Sequence, residues 1–164
     1  MKKIFKTFAL VICTVCALVL SSCGGGSKPI TYEEFHQKAL EVKENAPEIT
    51  RGHIVINIST KYEHINYESD FTIQGDALNL VEEPFYYSWR EKIIPAIKSR
   101  AYLVEDEGEN REYYYNAKEG FTVNSVFNDE ISYQYVFDVN GYLTKSWDPS
   151  LEDNYITTIE WYAE

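Results

Sequence analysis

The apolar residues between positions 35 and 46 repeat with the period of a helix. One apolar face recurs every three or four residues, at Phe35, Ala39, Val42 and Ala46. Thr31 and Glu34 form a T-x-x-E capping box, in which each side chain satisfies a backbone amide that the first turn leaves unpaired. Because Pro47 disfavours helical geometry at the residue before it, this pattern predicts a helix over residues 32–45.

The period then changes from about four residues to two. The first alternating run carries Ile54, Ile56, Ile58, Thr60 and Tyr62 on one side. The second run carries Ile65, Tyr67, Ser69, Phe71 and Ile73. Strict alternation is typical of strands with one buried face and one solvated face. The sequence therefore predicts a hairpin with its bend at Glu63-His64, ending at Gly75-Asp76.

Residues 81–100 combine helical spacing with a helix breaker. Phe85, Trp89 and Ile93 lie four residues apart, and Pro84 suits the first position of a helix. Pro95 then lacks the amide that an interior helical residue needs. The pattern predicts a helical insertion near 84–97 with a kink.

The remainder alternates again and predicts an antiparallel meander. Residues 101–104 are a possible strand, and the expected strands are 113–116, 121–127, 131–139, 142–147 and 155–163. Asn140-Gly141 has the composition of a type I′ hairpin turn, because both residues tolerate positive φ. Together these elements predict an α+β fold. In it, the N-terminal helix packs on a curved antiparallel sheet of about seven strands, as a single domain over residues 31–164.

The first residues have the features of an export signal. Lys2, Lys3 and Lys6 precede an uncharged apolar run over residues 8–20, and Ser21-Ser22-Cys23 follows. A basic start, a short apolar run and a small-residue end are typical of a secretory signal. The apolar run is shorter than the roughly twenty residues that a membrane span requires.

Leu20-Ser21-Ser22-Cys23 resembles the lipobox of bacterial lipoproteins. The resemblance implies that residues 1–22 are removed and that Cys23 carries acyl chains such as palmitate. Residues 23–30 would then be a lipidated, glycine-rich tether. The implied location is the extracytoplasmic face of the cell membrane, or the outer membrane if the host has two membranes.

Cysteine content and charge narrow the possible partners. Cys13 and Cys16 leave with the signal, so the mature chain keeps only Cys23 and cannot form an internal disulfide. Losing three lysines and no acid changes the formal net charge from −11 to −14. Such an acidic chain is not expected to bind nucleic acid, whose phosphates attract basic surfaces. The expected attachment is to the membrane through the lipid on Cys23.

No motif in the chain indicates catalysis, a metal or a cofactor. The three histidines, His36, His53 and His64, show neither i, i+4 spacing nor an HExxH pattern. G-x-S-x-G, Walker A and G-x-G-x-x-G motifs are absent. The acidic run at residues 105–109 does not have the ligand order of an EF-hand loop. We therefore expect no catalytic residues, no metal site and no cofactor.

The mature chain has 23 aromatic residues, which fit either a packed core or an apolar groove. In the first functional hypothesis, a small apolar ligand binds between helix and sheet, lined by Phe35, Phe71, Trp89, Tyr135 and Trp161. The order of elements loosely resembles the half-barrel carriers of the bacterial envelope, in architecture only. An alternative is a protein-interaction module that uses a sheet edge or an aromatic patch. A hydrolase based on carboxylates has the weakest support, since no nucleophile accompanies them.

Overall fold

The computed structural model describes residues 28–75, 77–81, 100–106, 110–148 and 155–164. Within them lie one α-helix, α1 (Tyr32–Asn45), and one 3-10 turn (Ala101–Leu103). The strands are β1 (Arg51–Ser59), β2 (His64–Gln74), β3 (Ala77–Leu80), β4 (Arg111–Asn116), β5 (Gly120–Phe127), β6 (Glu130–Phe137), β7 (Leu143–Asp148) and β8 (Tyr155–Ala163). The expected α+β class is confirmed.

The strands form one open antiparallel sheet in the order β3-β2-β1-β8-β7-β6-β5-β4. Two meanders, β1 to β3 and β4 to β8, meet where β1 pairs with β8. The sheet has eight strands, whereas the sequence predicted about seven. The two outermost strands are therefore β3 at one end and β4 at the other.

Local corrections explain the difference in strand count. Residues 101–104 were predicted only as a possible strand, and a 3-10 turn occupies Ala101–Leu103. The four-residue β3 was not predicted, because it is too short to show a period. β1 ends at Ser59, so Thr60 and Tyr62 lie in the following turn. The predicted helical insertion at 84–97 lies outside the described residues.

The type I′ turn expected between β6 and β7 occurs instead between β5 and β6. Asn140 does not have positive φ, so the predicted type I′ turn at Asn140-Gly141 is wrong. Asn128 and Asp129 have φ of 51° and 64° and join the paired ends of β5 and β6, as a type I′ hairpin turn requires. At the other turn only Gly141 has positive φ, and its amide donates to Asp138 O at 3.0 Å.

One face of the sheet is apolar along all eight strands. The register places side chains from every strand on this face, including Ile56, Phe71, Leu78, Tyr113, Val123, Phe137, Leu143 and Ile159. Most of them are buried, as expected for the inner face of a two-layer domain. We call this face the inner face and its opposite the outer face. Helix α1 packs against β4 and the 3-10 turn.

Candidate functional site

Phe35, predicted to line a ligand site, fills the contact between helix and sheet. Its side chain is 0 % exposed. Its ring lies 5.1 Å from the ring of Tyr113 and 5.5 Å from that of Phe121, measured between centroids. These are the distances of packed aromatic pairs. Phe35 therefore joins α1 to β4 and β5 through direct contact with protein side chains.

Phe71 and Trp161 form a second aromatic contact, on the other half of the sheet. Phe71 is 1 % exposed, and its ring meets that of Trp161 edge-on at 5.4 Å. The indole Nε1 of Trp161 donates to Leu143 O at 2.8 Å, which satisfies the polar atom of a half-buried ring. Tyr142 packs on the same indole at 5.4 Å.

Tyr135 lies in a third group, on β6. Its ring is 4.5 Å from that of Tyr133 and 6.4 Å from that of Phe137. Burial raises the pKa of the Tyr135 hydroxyl, so the group is neutral at physiological pH. Tyr133 and Tyr135 are both half-buried.

The four predicted lining residues that are described thus belong to one apolar core. Phe35 and Phe71 are buried in it, and Tyr135 and Trp161 are partly buried against it. Trp89 and Cys23 lie outside the described residues. Ligand binding at these side chains stays a prediction.

The β4 edge of the sheet is partly covered by the chain itself. Ile30 forms an isolated antiparallel bridge with Tyr113, and the Ile30 amide donates to Tyr113 O at 2.8 Å. The segment that leads from the N-terminus therefore adds to β4 before α1 begins at Tyr32. This edge is the point at which the domain meets the predicted tether.

At the opposite edge of the sheet, β2 has eleven residues and β3, the strand that pairs with its outer side, has only four. β3 pairs with Phe71–Gln74, and the Val81 amide then donates to Asp70 O at 2.9 Å. Among the described residues, none forms a backbone hydrogen bond with the outer side of β2 at Asn66 or Glu68. We call this part of β2, at Asn66 and Glu68, the open edge. The sequence did not predict the open edge, because the sequence did not predict β3 or the residue at which β3 ends.

Hydrogen-bond alternation identifies which backbone groups the open edge exposes. Ile73 donates to Thr50 O, on the side of β1, whereas Asp70 accepts from Val81, on the side of β3. In an antiparallel sheet consecutive residues bond to opposite neighbours. The amides and carbonyls of Asn66 and Glu68 therefore point away from β1, in the same direction as those of Asp70.

Carboxylates line the outer face beside the open edge. His53 Nδ1 lies 2.9 Å from Asp70 Oδ1, and His53 Nε2 lies 3.7 Å from Glu68 Oε2. The hydrogen bond to Asp70 raises the pKa of His53, with the charges of Asp70 and Glu68 adding to it. Both carboxylates remain largely in solvent, with side chains 75 % and 57 % exposed. The region is therefore acidic and hydrated.

The described residues offer no arrangement of side chains for metal chemistry. Among them, no three or more His, Cys, Asp or Glu residues group in a way that could hold a metal ion. No described helix combines the length and apolar character needed to cross a bilayer. The open edge and its acidic border are the features of this part of the chain that could engage another molecule.

No family model, curated protein or solved structure matches this chain. Its function must therefore be argued from its own residues. The geometry above gives two starting points, namely the open edge with its carboxylates and the half-buried aromatic residues of the inner face.

Proposed function

We propose that this protein is a lipid-anchored extracytoplasmic lipoprotein whose single domain is a non-catalytic protein-interaction module. The observation that carries the proposal is the open edge of β2, where no described residue bonds to the outward backbone groups of Asn66 and Glu68. Unpaired strand edges are templates on which another chain can add a strand. Main-chain hydrogen bonds supply affinity in such complexes, and side chains supply specificity.

The position of Ile30 limits the reach of the proposed anchor on Cys23. Ile30 is already hydrogen-bonded to β4, so the tether is limited to the few residues between Cys23 and Ile30. Seven residues reach at most about 25 Å when fully extended. A lipid on Cys23 would hold the β4 edge near the bilayer, and the open edge lies at the other end of the strand order.

Replacing the lipid-accepting thiol tests the anchor. Cys23→Ser in the full chain is expected to abolish incorporation of labelled palmitate, because the thiol that would accept the acyl chain is absent. Cys16→Ser, inside the predicted signal, is the matched control and should leave incorporation unchanged. An intact mass showing residues 1–22 still attached and Cys23 unmodified would contradict the proposal.

Photo-crosslinking in the native envelope tests the interaction module. A photoreactive phenylalanine analogue at Asn66 should give a discrete adduct with a second protein. The same analogue at Glu130, an exposed residue at the start of β6, is the control and should give none. Absence of adducts at Asn66 as well as at Glu130 would refute the open edge as an interaction site.

The half-buried aromatic residues support a second candidate function, binding of a small apolar or amphipathic ligand. Tyr133 and Tyr135 are neither sealed nor freely exposed, as expected for side chains that line a groove on a curved sheet. Native mass spectrometry of the purified protein should then detect a bound lipid that Tyr135→Ala releases. A lipid that Tyr135→Ala retains, or no lipid at all, would argue against this second function.

A further inference from the structure

His53 is the middle residue of a row of three side chains across the outer face of the sheet. The register places it directly opposite Asp70 on β2 and directly opposite Tyr162 on β8. Glu68 lies two residues before Asp70 on the same face of β2, because alternate residues of a strand share a face. The imidazole therefore has one carboxylate directly across from it and a second on the diagonal, and side chains in both positions can interact.

Each nitrogen of the His53 ring faces a different carboxylate. Nδ1 lies 2.9 Å from Asp70 Oδ1, and Nε2 lies 3.7 Å from Glu68 Oε2. The imidazolium has an N–H on both nitrogens, so it attracts both carboxylates at once. A neutral imidazole has one N–H and one lone pair, and the lone pair repels a carboxylate. Only the protonated ring therefore suits both neighbours.

The two distances decide which carboxylate a neutral His53 ring keeps. The hydrogen bond of a histidine to a carboxylate determines which nitrogen holds the remaining proton. Asp70 makes the shorter contact, so we expect the proton on Nδ1 and the lone pair on Nε2. Loss of the other proton then turns the attraction between Nε2 and Glu68 into a repulsion, whereas the bond to Asp70 is retained.

We propose that His53 is a proton-operated switch for the side chain of Glu68. The protonated ring holds the Glu68 carboxylate toward β1, and the neutral ring releases it to solvent. The switch goes beyond the proposed interaction function and does not depend on it. Because Glu68 belongs to the open edge, the charge and the side-chain position beside that edge change together with pH.

The neighbouring carboxylates determine the pH at which the switch operates. The hydrogen bond to Asp70 raises the pKa of His53, and the charges of Asp70 and Glu68 add to it. The usual value for histidine is about 6.5. The held state of Glu68 is therefore complete below that pH and is lost as pH rises through the higher pKa of the folded protein. At the proposed extracytoplasmic location the domain meets the pH of its surroundings directly.

The other charged groups near His53 are engaged with partners of their own. Tyr162 lies across β8 with its ring 6.5 Å from the imidazole, and its hydroxyl donates to Glu160. That bond raises the pKa of Tyr162, so the phenol stays neutral while His53 titrates. Arg51, on the same face of β1, pairs with Glu164 at 3.5 Å. Within the described chain, the ring nitrogens thus form their ion pairs with the two carboxylates of β2.

Nuclear magnetic resonance of the native protein, purified in non-ionic detergent, tests the release of Glu68. A nuclear Overhauser contact between the His53 ring and the γ-methylene of Glu68 is expected at pH 5.5 and should be lost at pH 9. The Glu68 carboxyl carbon should shift with the His53 titration as well as with its own protonation in acid. The Glu160 carboxyl carbon is the control and should shift in acid only. A Glu68 contact that persists at pH 9 would overturn the proposal.

The tautomer of the neutral ring distinguishes the switch from an ordinary ion pair. Above the His53 titration, the ring nitrogen shifts are expected to show the proton on Nδ1, because Asp70 accepts a hydrogen bond there. A histidine without such a partner favours the proton on Nε2. A neutral His53 with its proton on Nε2 would still donate to Glu68, and this result would refute the release.

Variants separate the roles of the two carboxylates. Asp70→Asn is expected to lower the pKa of His53 most and Glu68→Gln to lower it less, in the order of their contributions. Glu160→Gln, the matched control on β8, should leave it almost unchanged. The amide in Glu68→Gln can donate to a neutral Nε2 or accept from a protonated one, so its contact with His53 should no longer depend on pH. If Glu160→Gln lowered the pKa as much as Glu68→Gln, the general acidity of the surface would explain the titration and the proposal would fail.

Discussion

Two carboxylates on β2, those of Asp70 and Glu68, raise the pKa of His53, a surface side chain on β1. It lies on the outer face of β1, opposite Asp70, and Glu68 and Tyr162 lie near it. The raised pKa means that the folded protein holds the imidazole proton more tightly than the unfolded chain does. When it is protonated, His53 offsets part of the negative charge of Asp70 and Glu68 beside the open edge.

The stability of the domain should therefore depend on pH through His53. The contribution is fully present below the unfolded pKa, about 6.5, and disappears as pH rises through the higher folded-state pKa. His53→Gln should thus lower the urea midpoint at pH 5.5 and have little effect at pH 9. Asp70→Asn should show the same trend. An equal shift at both pH values would show that charge is not the cause.

Gly120 occupies a position that its backbone and its surroundings both restrict. Its φ is +97°, and an added Cβ would lie 2.2 Å from Phe137 O, on the neighbouring strand. Gly75 has φ of +61°, but no atom lies within 4 Å of its Cβ position. Comparing Gly75 with Gly120 therefore separates the free-energy cost of positive φ in a residue with a side chain from the cost of a steric clash.

Alanine at these two glycines should therefore have unequal effects. Gly120→Ala is expected to destabilise the domain by about 3 kcal/mol or more, because strain adds to a main-chain clash. Gly75→Ala should cost about 1 kcal/mol, the ordinary penalty of a left-handed residue. Chemical denaturation measures both values. Equal losses would contradict the assigned contact with Phe137.

Among the elements, α1 is the one whose bounds follow most directly from local signals. The predicted range, residues 32–45, agrees with the observed Tyr32–Asn45. Thr31 accepts a hydrogen bond from the Glu34 amide at 3.2 Å, as the capping box predicts. All the interactions that define these ends lie within a few residues along the chain, so sequence alone could locate them.

The cap of α1 can be tested without disturbing the core. Thr31→Ala is expected to lower the free energy of unfolding by about 1 kcal/mol, through loss of the bond to the Glu34 amide. Thr31→Ser keeps a hydroxyl at the same place and should remain close to the parent. If serine destabilised as much as alanine, packing rather than capping would explain the loss.

The turn between β6 and β7 shows why turn type was harder to predict. Asp138 Oδ1 accepts from the Asn140 amide at 2.9 Å and from the Tyr142 amide at 2.8 Å. These bonds stabilise a turn with positive φ at Gly141 alone. Asn-Gly composition favoured the two-residue type I′ turn, but the carboxylate two positions earlier, Asp138, favoured another geometry.

At the scale of the whole molecule, the pairing of β1 with β8 unites the two meanders. Ile56 lies opposite Ile159 on β8 and opposite Tyr67 on β2, and its side chain is fully buried. Val55 precedes it, points to the outer face and is half-buried. Substitutions at Ile56 and at Val55 therefore compare the stability contributed by the inner face and by the outer face at adjacent residues of β1.

Loss of buried volume at the junction should destabilise the entire domain. Ile56→Ala is expected to cost about 2–5 kcal/mol, as for other buried aliphatic residues cut to alanine. Val55→Ala should cost clearly less, because its outer-face side chain is partly solvated. Urea denaturation followed by tryptophan fluorescence compares them. A larger loss for Val55→Ala would contradict the assignment of faces.

The sequence alone determined the features that depend on neighbours along the chain. These are the α+β class, the bounds of α1, the alternation that gives the sheet its apolar face, and the prediction of a lipid anchor at Cys23. Periodicity and capping depend on residues that lie a few positions apart along the chain, so the sequence alone is enough to predict them. The anchor itself stays a prediction until Cys23 is tested.

Only the tertiary structure decided the features that depend on distant segments. It gave the pairing of β1 with β8, the short β3, the joining of Phe35 and Phe71 in one core, and the open edge at Asn66 and Glu68. Strand order and edges depend on which distant segments come to lie side by side, and local periodicity carries no signal for that. The proposed binding surface is a consequence of where β3 ends, and no local pattern in β2 could reveal it.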